Sequence, residues 1–301
     1  MKIPLSIKQL VLTLGILLMT AAACPRTTAQ PTASSDAVTA AMADTVEVMS
    51  QAMGRNIKSV VIFPAQYHDS VQQTYPVIYL LHGAEGQYND WPRRANLDSL
   101  ATCYGVIIVC PDGQDSWYLD SPVDPAMQFE TFVSKELVAY IDSHYRTRAS
   151  RYMRAITGLS MGGHGALFLA FRHPDVFWSC GSMSGCMDIT QFPDRWHIKD
   201  RLGDYENNKQ RWREHAVCNL VGQLPDNGLT PAQNIIIDNG LNDIFIKNNI
   251  ALHEQLVQLG INHDFTVRPG RHNWKYWVNS LDYHLLFFNK AFARGATLME
   301  Q

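Results

Sequence analysis

The sequence has no excess of charge of either sign, and this narrows the classes of protein to which it can belong. Its 301 residues carry 25 Lys and Arg against 28 Asp and Glu, which gives a formal net charge of -3. Such a chain lacks the basic excess typical of nucleic-acid binding, and it has no acidic tract of the kind found in disordered segments. We therefore expect no nucleic-acid partner.

Sequence signatures for metal and phosphate binding are missing as well. The chain contains no H-E-x-x-H pair, no G-x-x-x-x-G-K phosphate loop and no EF-hand calcium loop. These are common patterns by which zinc, nucleotides and calcium are held in proteins. We therefore predict no cofactor and no metal site, and we expect the chemistry to rest on side chains alone.

Cysteine is scarce and poorly arranged for cross-linking. Of the 6 cysteines, Cys24 stands near the N-terminus, and the sequence contains no C-x-x-C pair. The others are an odd number and cannot all pair with one another, so neither a disulfide framework nor a zinc site is predicted. The sequence does not exclude one disulfide bridge, between Cys180 and Cys186, because the two residues are close in sequence.

A long apolar run of the kind that spans a bilayer is also lacking. Lys2 and Lys8 precede an apolar stretch at 10–19, which is followed by Thr-Ala-Ala-Ala-Cys at 20–24. This order is the pattern of a secretory signal, and the stretch is shorter than the roughly 20 residues of a spanning helix. We assign residues 1–23 to a signal peptide. The protein is expected to be exported and to be periplasmic, secreted or lipid-anchored at the cell surface.

Cys24 allows two predictions for the N-terminus of the mature protein. Three alanines before a cysteine resemble a lipoprotein cleavage site, after which a lipid on Cys24 would attach the protein to a membrane. Ala21 departs from this pattern, because it stands where that motif usually has leucine. The other form arises by ordinary cleavage after Ala23 or Ala29 and carries no lipid.

Beyond the signal, the sequence divides into a linker and one domain. Residues 24–43 are rich in Thr, Ala, Ser and Pro without an apolar period, which predicts a flexible linker. Strand-like runs alternate with helix-like periods through residues 44–295, which predicts a doubly wound, mostly parallel sheet with helices on both faces. The first two runs, 45–48 and 56–63, indicate an antiparallel hairpin at the sheet edge.

One short stretch, Ala-Ile-Thr-Gly-Leu-Ser-Met-Gly-Gly at 155–163, organises the rest of the domain. Ser160 stands between Gly158 and Gly162 in the G-x-S-x-G spacing of a nucleophile elbow. A sharp strand-to-helix turn strains the serine and leaves no room for side chains two residues away. The hydroxyl would then stand at the carboxyl edge of the sheet. It would face the positive end of a helix that we expect to begin at Gly162 or Gly163.

A serine nucleophile on this fold needs an acid and then a base later in the chain. Among the 11 histidines, His272 follows the predicted last strand on a loop that returns to the carboxyl edge of the sheet. Asp243 lies in the loop after the strand predicted at 234–238, and Asp238, at the end of that strand, is its rival. His272 would take the proton from Ser160, and the acid would hold the imidazole in the required tautomer.

Two backbone N–H groups are expected to bind the oxyanion that forms during the reaction. One belongs to Met161, directly after the nucleophile. The other is assigned to Ala84, in the loop after the buried strand predicted at 75–81. His82, in the same loop, is interpreted as a side chain that shapes the loop rather than as a catalyst.

Aromatic residues near the predicted site are candidates for substrate binding. Trp274 follows His272 closely, and Trp91 and Trp117 lie on loops at the carboxyl edge, where an indole could stack on a sugar or phenol ring. An irregular segment dotted with aromatic residues, at about 188–226, is interpreted as an insertion that covers one side of the site.

Several short motifs together resemble the esterase D-type family of esterases. They are Tyr-Leu-Leu-His-Gly at 79–83 with Trp91, Gly-Leu-Ser-Met-Gly-Gly at 158–163, His-Pro-Asp-Val-Phe at 173–177, Asp-Asn-Gly at 238–240 with Asp243, and Gly-Arg-His-Asn-Trp at 270–274. The resemblance implies an α/β-hydrolase fold with a triad of Ser160, Asp243 and His272. It implies Ala84 and Met161 as oxyanion donors, and it favours Asp243 over Asp238.

The esterase D-type family includes S-formylglutathione hydrolases, feruloyl and acetyl-xylan esterases, and mycolyltransferases. Because glutathione thioesters are cytosolic, the predicted export favours the esterases that act on carbohydrate. We therefore predict an exported serine carboxylic ester hydrolase that forms an acyl-enzyme and removes feruloyl or acetyl groups from plant polysaccharide. Acyl transfer to a sugar or lipid acceptor is the alternative, and an inactive binding protein is a further one. The sequence leaves the oligomeric state open.

Overall fold

A computed structural model describes residues 42–222 and 234–300 of the chain. The predicted signal peptide, Cys24 and nearly all of the predicted linker lie outside the described residues, as does the end of the insertion predicted at 188–226. Within the described part, no helix combines the length and the apolar character that crossing a membrane requires.

Eight strands of the described residues form one sheet. In chain order they are β1 Ala43–Ser50, β2 Arg55–Ile62, β3 Val77–Leu81, β4 Ile107–Pro111, β5 Arg154–Gly158, β6 Ser179–Met183, β7 Asn234–Gly240 and β8 Asp264–Arg268. Across the sheet they lie in the order β1-β2-β4-β3-β5-β6-β7-β8. β2 is antiparallel to β1 and β4, whereas every other pair of neighbours is parallel. The mostly parallel sheet and the edge hairpin predicted from the sequence are confirmed.

Helices connect the strands and cover the sheet. They are α1 Asp90–Arg94, α2 Leu97–Tyr104, α3 Phe129–Thr131, α4 Val138–His144, α5 Met161–Arg172, α6 Ile198–Leu202, α7 Lys209–Glu214, α8 Val217–Leu220, α9 Ile246–Gln258 and α10 Trp274–Met299. A π-helical segment, Phe132–Leu137, joins α3 to α4, so the three form one continuous element with a wider turn in the middle. The last helix, α10, continues beyond residue 295, where the sequence predicted the domain to end.

Alternation along the inner strands explains why helices lie on both faces of the sheet. In β3, Val77, Tyr79 and Leu81 pack into one core together with residues of α5 and α9. Ile78 and Leu80, which point the other way, pack into a second core with residues of α2 and α10. A run of five buried apolar residues is what a strand covered on both faces requires.

No disulfide joins the five cysteines that fall within residues 42–222 and 234–300. Cys180 and Cys186 are both buried, and burial raises the pKa of each thiol. They pack as small apolar side chains in the core on the α5 side of the sheet. The bridge between them that the sequence left open is therefore absent.

Two histidines are fully buried, and burial keeps them neutral. Nε2 of His164, in α5, lies 2.9 Å from the carbonyl oxygen of His215, and Nδ1 of His284, in α10, lies 2.9 Å from Oγ1 of Thr157. Burial lowers the pKa of His164 to about 4 and that of His284 to about 3. In the unfolded chain these imidazoles take up a proton near pH 6.5. Their contribution to stability is therefore complete above about pH 6.5 and is lost as the pH falls toward the folded values.

We expect each of these two histidines to lower the free energy of unfolding by about 2 kcal/mol between pH 7 and pH 5. Urea unfolding followed by tryptophan fluorescence at the two pH values measures the loss. His284→Gln is the matched variant, because glutamine keeps a hydrogen-bonding group but does not titrate. Its loss should be smaller than that of the parent by about 2 kcal/mol. An equal loss in both proteins would contradict the assignment.

Candidate active site

Ser160 occupies a strained turn between β5 and α5. Its backbone has φ +54° and ψ −117°, a left-handed region that residues with a side chain rarely adopt. Two hydrogen bonds hold it there: the Ser160 N–H donates to Met183 O at 3.0 Å, and the His164 N–H donates to Ser160 O at 3.0 Å. The helix begins at Met161, one or two residues before the start predicted at Gly162 or Gly163. Ser160 occupies the N-cap position, because its carbonyl oxygen accepts the first hydrogen bond of the helix.

The two glycines that flank the serine are required by close backbone contacts. A Cβ atom at Gly158 would lie 2.6 Å from the carbonyl oxygen of Gly162. A Cβ atom at Gly162 would lie 2.4 Å from the carbonyl oxygen of His82. Both distances are too short for any side chain, because the obstacle in each case is backbone. The G-x-S-x-G spacing therefore reflects how tightly α5 is set against the ends of β3 and β5.

Ser160, His272 and Asp243 form a continuous line of hydrogen bonds. Nε2 of His272 lies 2.9 Å from Oγ of Ser160, and Nδ1 lies 3.0 and 3.1 Å from the two carboxylate oxygens of Asp243. The Asp243 side chain is fully buried, whereas the imidazole is 21% exposed. An ionised carboxylate can only accept, so the proton of a neutral imidazole sits on Nδ1. Nε2 is then free to accept the proton of the serine hydroxyl.

The loops that carry the acid and the base are in direct backbone contact. A Cβ atom at Gly240 would lie 2.7 Å from the carbonyl carbon of Gly270, so only glycine allows this approach. The Asn242 N–H donates to Gly270 O at 2.9 Å, and the Phe245 N–H donates to the Asp243 carboxylate at 2.9 Å. These contacts fix the distance between the loop after β7 and the loop after β8. Asp243 and His272 are thereby held at hydrogen-bond distance.

Asp238, the rival acid, is engaged elsewhere. Its buried carboxylate accepts hydrogen bonds from the Tyr276 hydroxyl, from the Arg268 guanidinium and, at 3.0 Å, from the Ser280 hydroxyl. Burial raises the pKa of the Asp238 carboxyl, and these three donors oppose that effect. Its oxygens are aimed at β8 and α10 rather than at His272. Asp238 therefore ties structural elements together beneath the site, and Asp243 is the carboxylate that reaches the imidazole.

The loop after β3 forms a tight turn beside Ser160. The Gly86 N–H donates to Gly83 O at 3.2 Å, and Glu85 has a left-handed backbone with φ +59°. The carboxylate of Asp115 accepts the Glu85 N–H at 2.6 Å, which holds this unusual conformation. Ala84, between these residues, lines the same pocket as Ser160.

His82 fixes the start of this turn. Its Nε2 accepts the Gly113 N–H at 2.8 Å, so its Nδ1 carries the proton and donates to Gly83 O at 2.7 Å. The ring is buried and does not contact Ser160. The interpretation of His82 as a side chain that shapes the loop is confirmed. On the other side of the serine, Met161 is the first residue of α5, and its N–H has no partner earlier in the helix.

A pocket of about 540 Å³ opens in front of Ser160. Trp274 lines it as predicted, with the Arg94 guanidinium 4.6 Å from its ring centre. Charged side chains at the mouth of the pocket are those of Glu85, Asp90 and Arg94. The site therefore offers a deep aromatic wall next to the hydroxyl and polar groups toward solvent.

The prediction that Trp91 and Trp117 bind substrate is wrong. Both are only 1% exposed, so neither presents a ring face to a ligand. The Trp91 Nε1–H donates to Leu81 O at 2.9 Å, and its ring meets Trp274 edge-on. The Trp117 Nε1–H donates to Trp196 O at 2.9 Å. These two indoles support the walls of the site from behind.

Two further tryptophans, which were not among the predicted substrate-binding residues, line the pocket. Trp277 is 6% exposed and meets His272 edge-on while also lining the pocket. Trp196 comes from the segment predicted to cover one side of the site, and it also lines the pocket. Its signal was a tryptophan within an aromatic-rich insertion, which indicated the region but not the residue.

Within the two stretches that the structure covers, no group of three or more His, Cys, Asp or Glu side chains is arranged to hold a metal ion. The chemistry that the described residues do support is nucleophilic. A serine hydroxyl, an imidazole oriented by a buried carboxylate and a helix N-terminus meet at one point, which is the arrangement that acyl transfer through serine requires.

Several known proteins are similar to this chain over most of its length. An acetyl esterase of Caldicellulosiruptor saccharolyticus is 27% identical over 77% of this chain and 92% of its own length. The diacylglycerol acyltransferase/mycolyltransferase Ag85B of Mycobacterium leprae is 27% identical over 79% of this chain and 80% of its own. A solved ferulic acid esterase superposes with a TM-score of 0.72 at 26% identity, covering 83% of this chain and 98% of that one.

The family described as "Putative esterase" matches residues 50–288, which is most of the described domain. Together with the α/β-hydrolase fold of the solved relatives, this match identifies the class of reaction. The chain belongs to this esterase family and is a serine carboxylic ester hydrolase.

Proposed function

We propose that Ser160 is the nucleophile of this esterase, that His272 is its general base and acid, and that Asp243 orients His272. The observation that carries the proposal is the unbroken line of hydrogen bonds from the Asp243 carboxylate through the imidazole to the serine hydroxyl. The left-handed backbone of Ser160 supports it, because strain of this kind persists where a function requires it.

Acylation begins when Oγ of Ser160 attacks the ester carbonyl carbon and its proton passes to Nε2 of His272. The carbonyl oxygen becomes an oxyanion, which accepts hydrogen bonds from the backbone N–H groups of Ala84 and Met161. Each such donor lowers the barrier by about 3–4 kcal/mol. The bond between the carbonyl carbon and the alcohol oxygen then breaks. That oxygen takes the proton from His272, and the acyl group stays on the serine.

Deacylation repeats the sequence with water. His272 takes a proton from the water as it attacks the acyl-enzyme carbonyl carbon, and the same two N–H groups hold the second oxyanion. Collapse breaks the bond to Oγ of Ser160, which regains its proton from His272. The products are a carboxylic acid and an alcohol. Throughout, Asp243 stays ionised and stabilises the imidazolium that forms twice in each cycle.

We further propose that the substrate is a carbohydrate-linked ester, with a feruloyl or acetyl group on plant polysaccharide. Relatives named acetyl esterase and ferulic acid esterase support this class. The pocket supports it as well, since its volume of about 540 Å³ is ample for an acyl group of either size. Trp274 and Trp277 would supply an apolar wall for a phenyl ring.

A substrate panel tests this proposal. We expect purified enzyme to hydrolyse methyl ferulate or acetylated xylan with kcat/KM at least comparable to that for short nitrophenyl esters, which any serine esterase accepts. Ser160→Ala run in parallel establishes that the turnover belongs to this site. Activity on nitrophenyl esters alone, with none on either natural type of ester, would contradict the carbohydrate assignment and leave the nucleophile assignment standing.

Acyl transfer to a sugar or lipid acceptor is a second candidate function. It is favoured by one observation, the 27% identity to an acyltransferase over 79% of this chain. Transfer differs from hydrolysis only in which hydroxyl group attacks the acyl-enzyme. Product analysis with a sugar or a long-chain alcohol present at millimolar concentration separates the two. A new ester in place of free acid would establish transfer.

We also propose that residues 1–23 direct export and that a lipid on Cys24 is one of two mature forms. Support comes from the sequence pattern of this segment. Fractionation of a bacterial host that expresses the full chain tests the proposal, with Cys24→Ser as the matched variant. Release of the variant from the membrane fraction, when the parent stays bound, would identify the lipoprotein. Parent protein that remains in the cytoplasm would contradict export.

A further inference from the structure

A second groove lies next to the catalytic pocket and shares one wall with it. Its volume is about 560 Å³, and Trp196 lines both spaces. Phe192, Pro193 and Ile244 supply the rest of its apolar surface. Ile244 stands between Asp243 and Phe245 in the chain and is 62% exposed.

Trp196 is held rigidly as the partition between the two spaces. Its backbone is left-handed, with φ +48°, and its carbonyl oxygen accepts the Trp117 Nε1–H at 2.9 Å. Its ring packs against Phe192 at 5.4 Å and against Phe245 at 5.5 Å between centroids. A strained backbone that is fixed by a buried donor and by two aromatic contacts points to a functional position.

Aromatic contacts connect this groove to the imidazole of His272. Phe245 meets the His272 ring edge-on at 5.2 Å, and Trp196 meets Phe245 edge-on at 5.5 Å between centroids. His272 hands its proton to the leaving alcohol oxygen, so the alcohol must lie next to this imidazole. An alcohol larger than one ring would extend past Trp196 into the groove.

The surface of the groove has the chemistry of a sugar site. Its lining combines these aromatic and aliphatic side chains with the polar side chains of Gln191, Asp194 and Arg195. The Gln191 amide donates to Asp188 and accepts from Asn248, which holds it in place. Sugar rings are amphipathic in the matching way, because C–H groups cover their faces and hydroxyl groups surround their edges. An aromatic floor binds the faces, and an amide, a carboxylate and a guanidinium bind the hydroxyls.

We infer that this groove is a subsite for the alcohol half of the substrate, binding sugar units beyond the one that carries the ester. Trp196 is then the residue that sets specificity for chain length. The inference rests on the proposed carbohydrate-ester function and deepens it. It predicts that an esterified oligosaccharide is a better substrate than the same ester on a single sugar.

A pair of matched variants on one loop tests the inference. Ile244→Asn changes the groove, whereas Leu241→Asn alters a residue of similar exposure, 58% against 62%, that does not line it. The quantity measured is the ratio of kcat/KM for acetylated xylotriose to that for acetylated xylose. We expect Ile244→Asn to lower this ratio roughly tenfold, mainly by raising KM for the trisaccharide. Leu241→Asn should leave the ratio as it is in the parent.

The outcomes separate this inference from the proposed function. Equal ratios in the parent and in Ile244→Asn, with both sugars hydrolysed, would overturn the subsite and leave the carbohydrate esterase intact. A parent that hydrolyses neither sugar ester would overturn the proposed function and the subsite with it. Nitrophenyl acetate, which is too small to reach the groove, reports whether a variant has kept its catalytic residues in place. A loss of activity on nitrophenyl acetate equal to that on the trisaccharide would also overturn the subsite.

Discussion

Replacing Ser160 with alanine is expected to lower kcat for any ester substrate by roughly 10⁵-fold or more. The variant keeps the pocket, the two N–H donors and the imidazole, but no atom remains that can form the acyl-enzyme. Alanine has the same backbone preferences as serine in this turn, so the stability of the fold should change little. Stopped assays with methyl ferulate or nitrophenyl acetate measure the loss, and a fluorophosphonate probe should label the parent and not the variant.

Ser184 provides a matched control for this substitution. It directly follows the neighbouring strand β6 and has the same left-handed φ of +54°. Ser184 is buried, whereas Ser160 is partly exposed, and the Ser184 hydroxyl forms no hydrogen bond with the described residues. Ser184→Ala therefore removes a serine hydroxyl from a similar backbone without touching the line of hydrogen bonds. We expect kcat to stay within about twofold of the parent, as for a change away from the reacting groups. Equal losses in the two variants would remove Ser160 from the role of nucleophile.

Asp243→Asn is expected to lower kcat by about 10⁴-fold with little loss of stability. An asparagine side chain can donate to Nδ1 of His272, which then has to accept, and the proton moves to Nε2. That tautomer cannot take the proton of the Ser160 hydroxyl. The imidazolium that forms in acylation also loses the charge that stabilised it. Steady-state kinetics near neutral pH measure the effect, while circular dichroism establishes that the variant is folded.

Asp238→Asn is the comparison that distinguishes the two aspartates. It removes the negative charge from a buried carboxylate that pairs with Arg268, and it leaves the guanidinium, which is 17% exposed, without its partner. Breaking a buried ion pair in this way costs about 3–5 kcal/mol of folding stability. The enzyme that remains folded should keep its kcat. If Asp238→Asn were stable and inactive while Asp243→Asn kept its activity, the assignment of the acid would be reversed.

Local rules of backbone geometry and chain order explain how much of the site could be predicted from the sequence. Gly158 and Gly162 marked the elbow because no side chain fits at either position. The order of nucleophile, acid and base, combined with strand ends at one sheet edge, then led to Asp243 and His272. Each of these inferences needs only sequence spacing and the direction of the strands. The structure places His272 within hydrogen-bond distance of both Asp243 and Ser160.

The tryptophans show what such rules do not predict, namely the direction in which a side chain points. A position on a carboxyl-edge loop brings a residue near the site, but whether its ring turns inward depends on contacts with distant parts of the chain. Trp91 turns toward Leu81 and Trp117 toward Trp196, so both are buried, whereas Trp274 remains at the pocket. Trp196 itself sits in a left-handed turn within a segment that has no hydrophobic period. No local pattern distinguished it from its neighbours.

The left-handed backbone of Ser160 has a consequence for laboratory evolution of this enzyme. A conformation of this kind stores roughly 1–3 kcal/mol that the folded protein would gain by relaxing it. Substitution by glycine would release most of that energy and abolish the nucleophile in the same step. A library selected for heat resistance alone would therefore be enriched in dead clones at position 160. Variants that are both thermostable and active must therefore gain stability from substitutions at other positions. Each round of selection should measure ester turnover as well as resistance to heat.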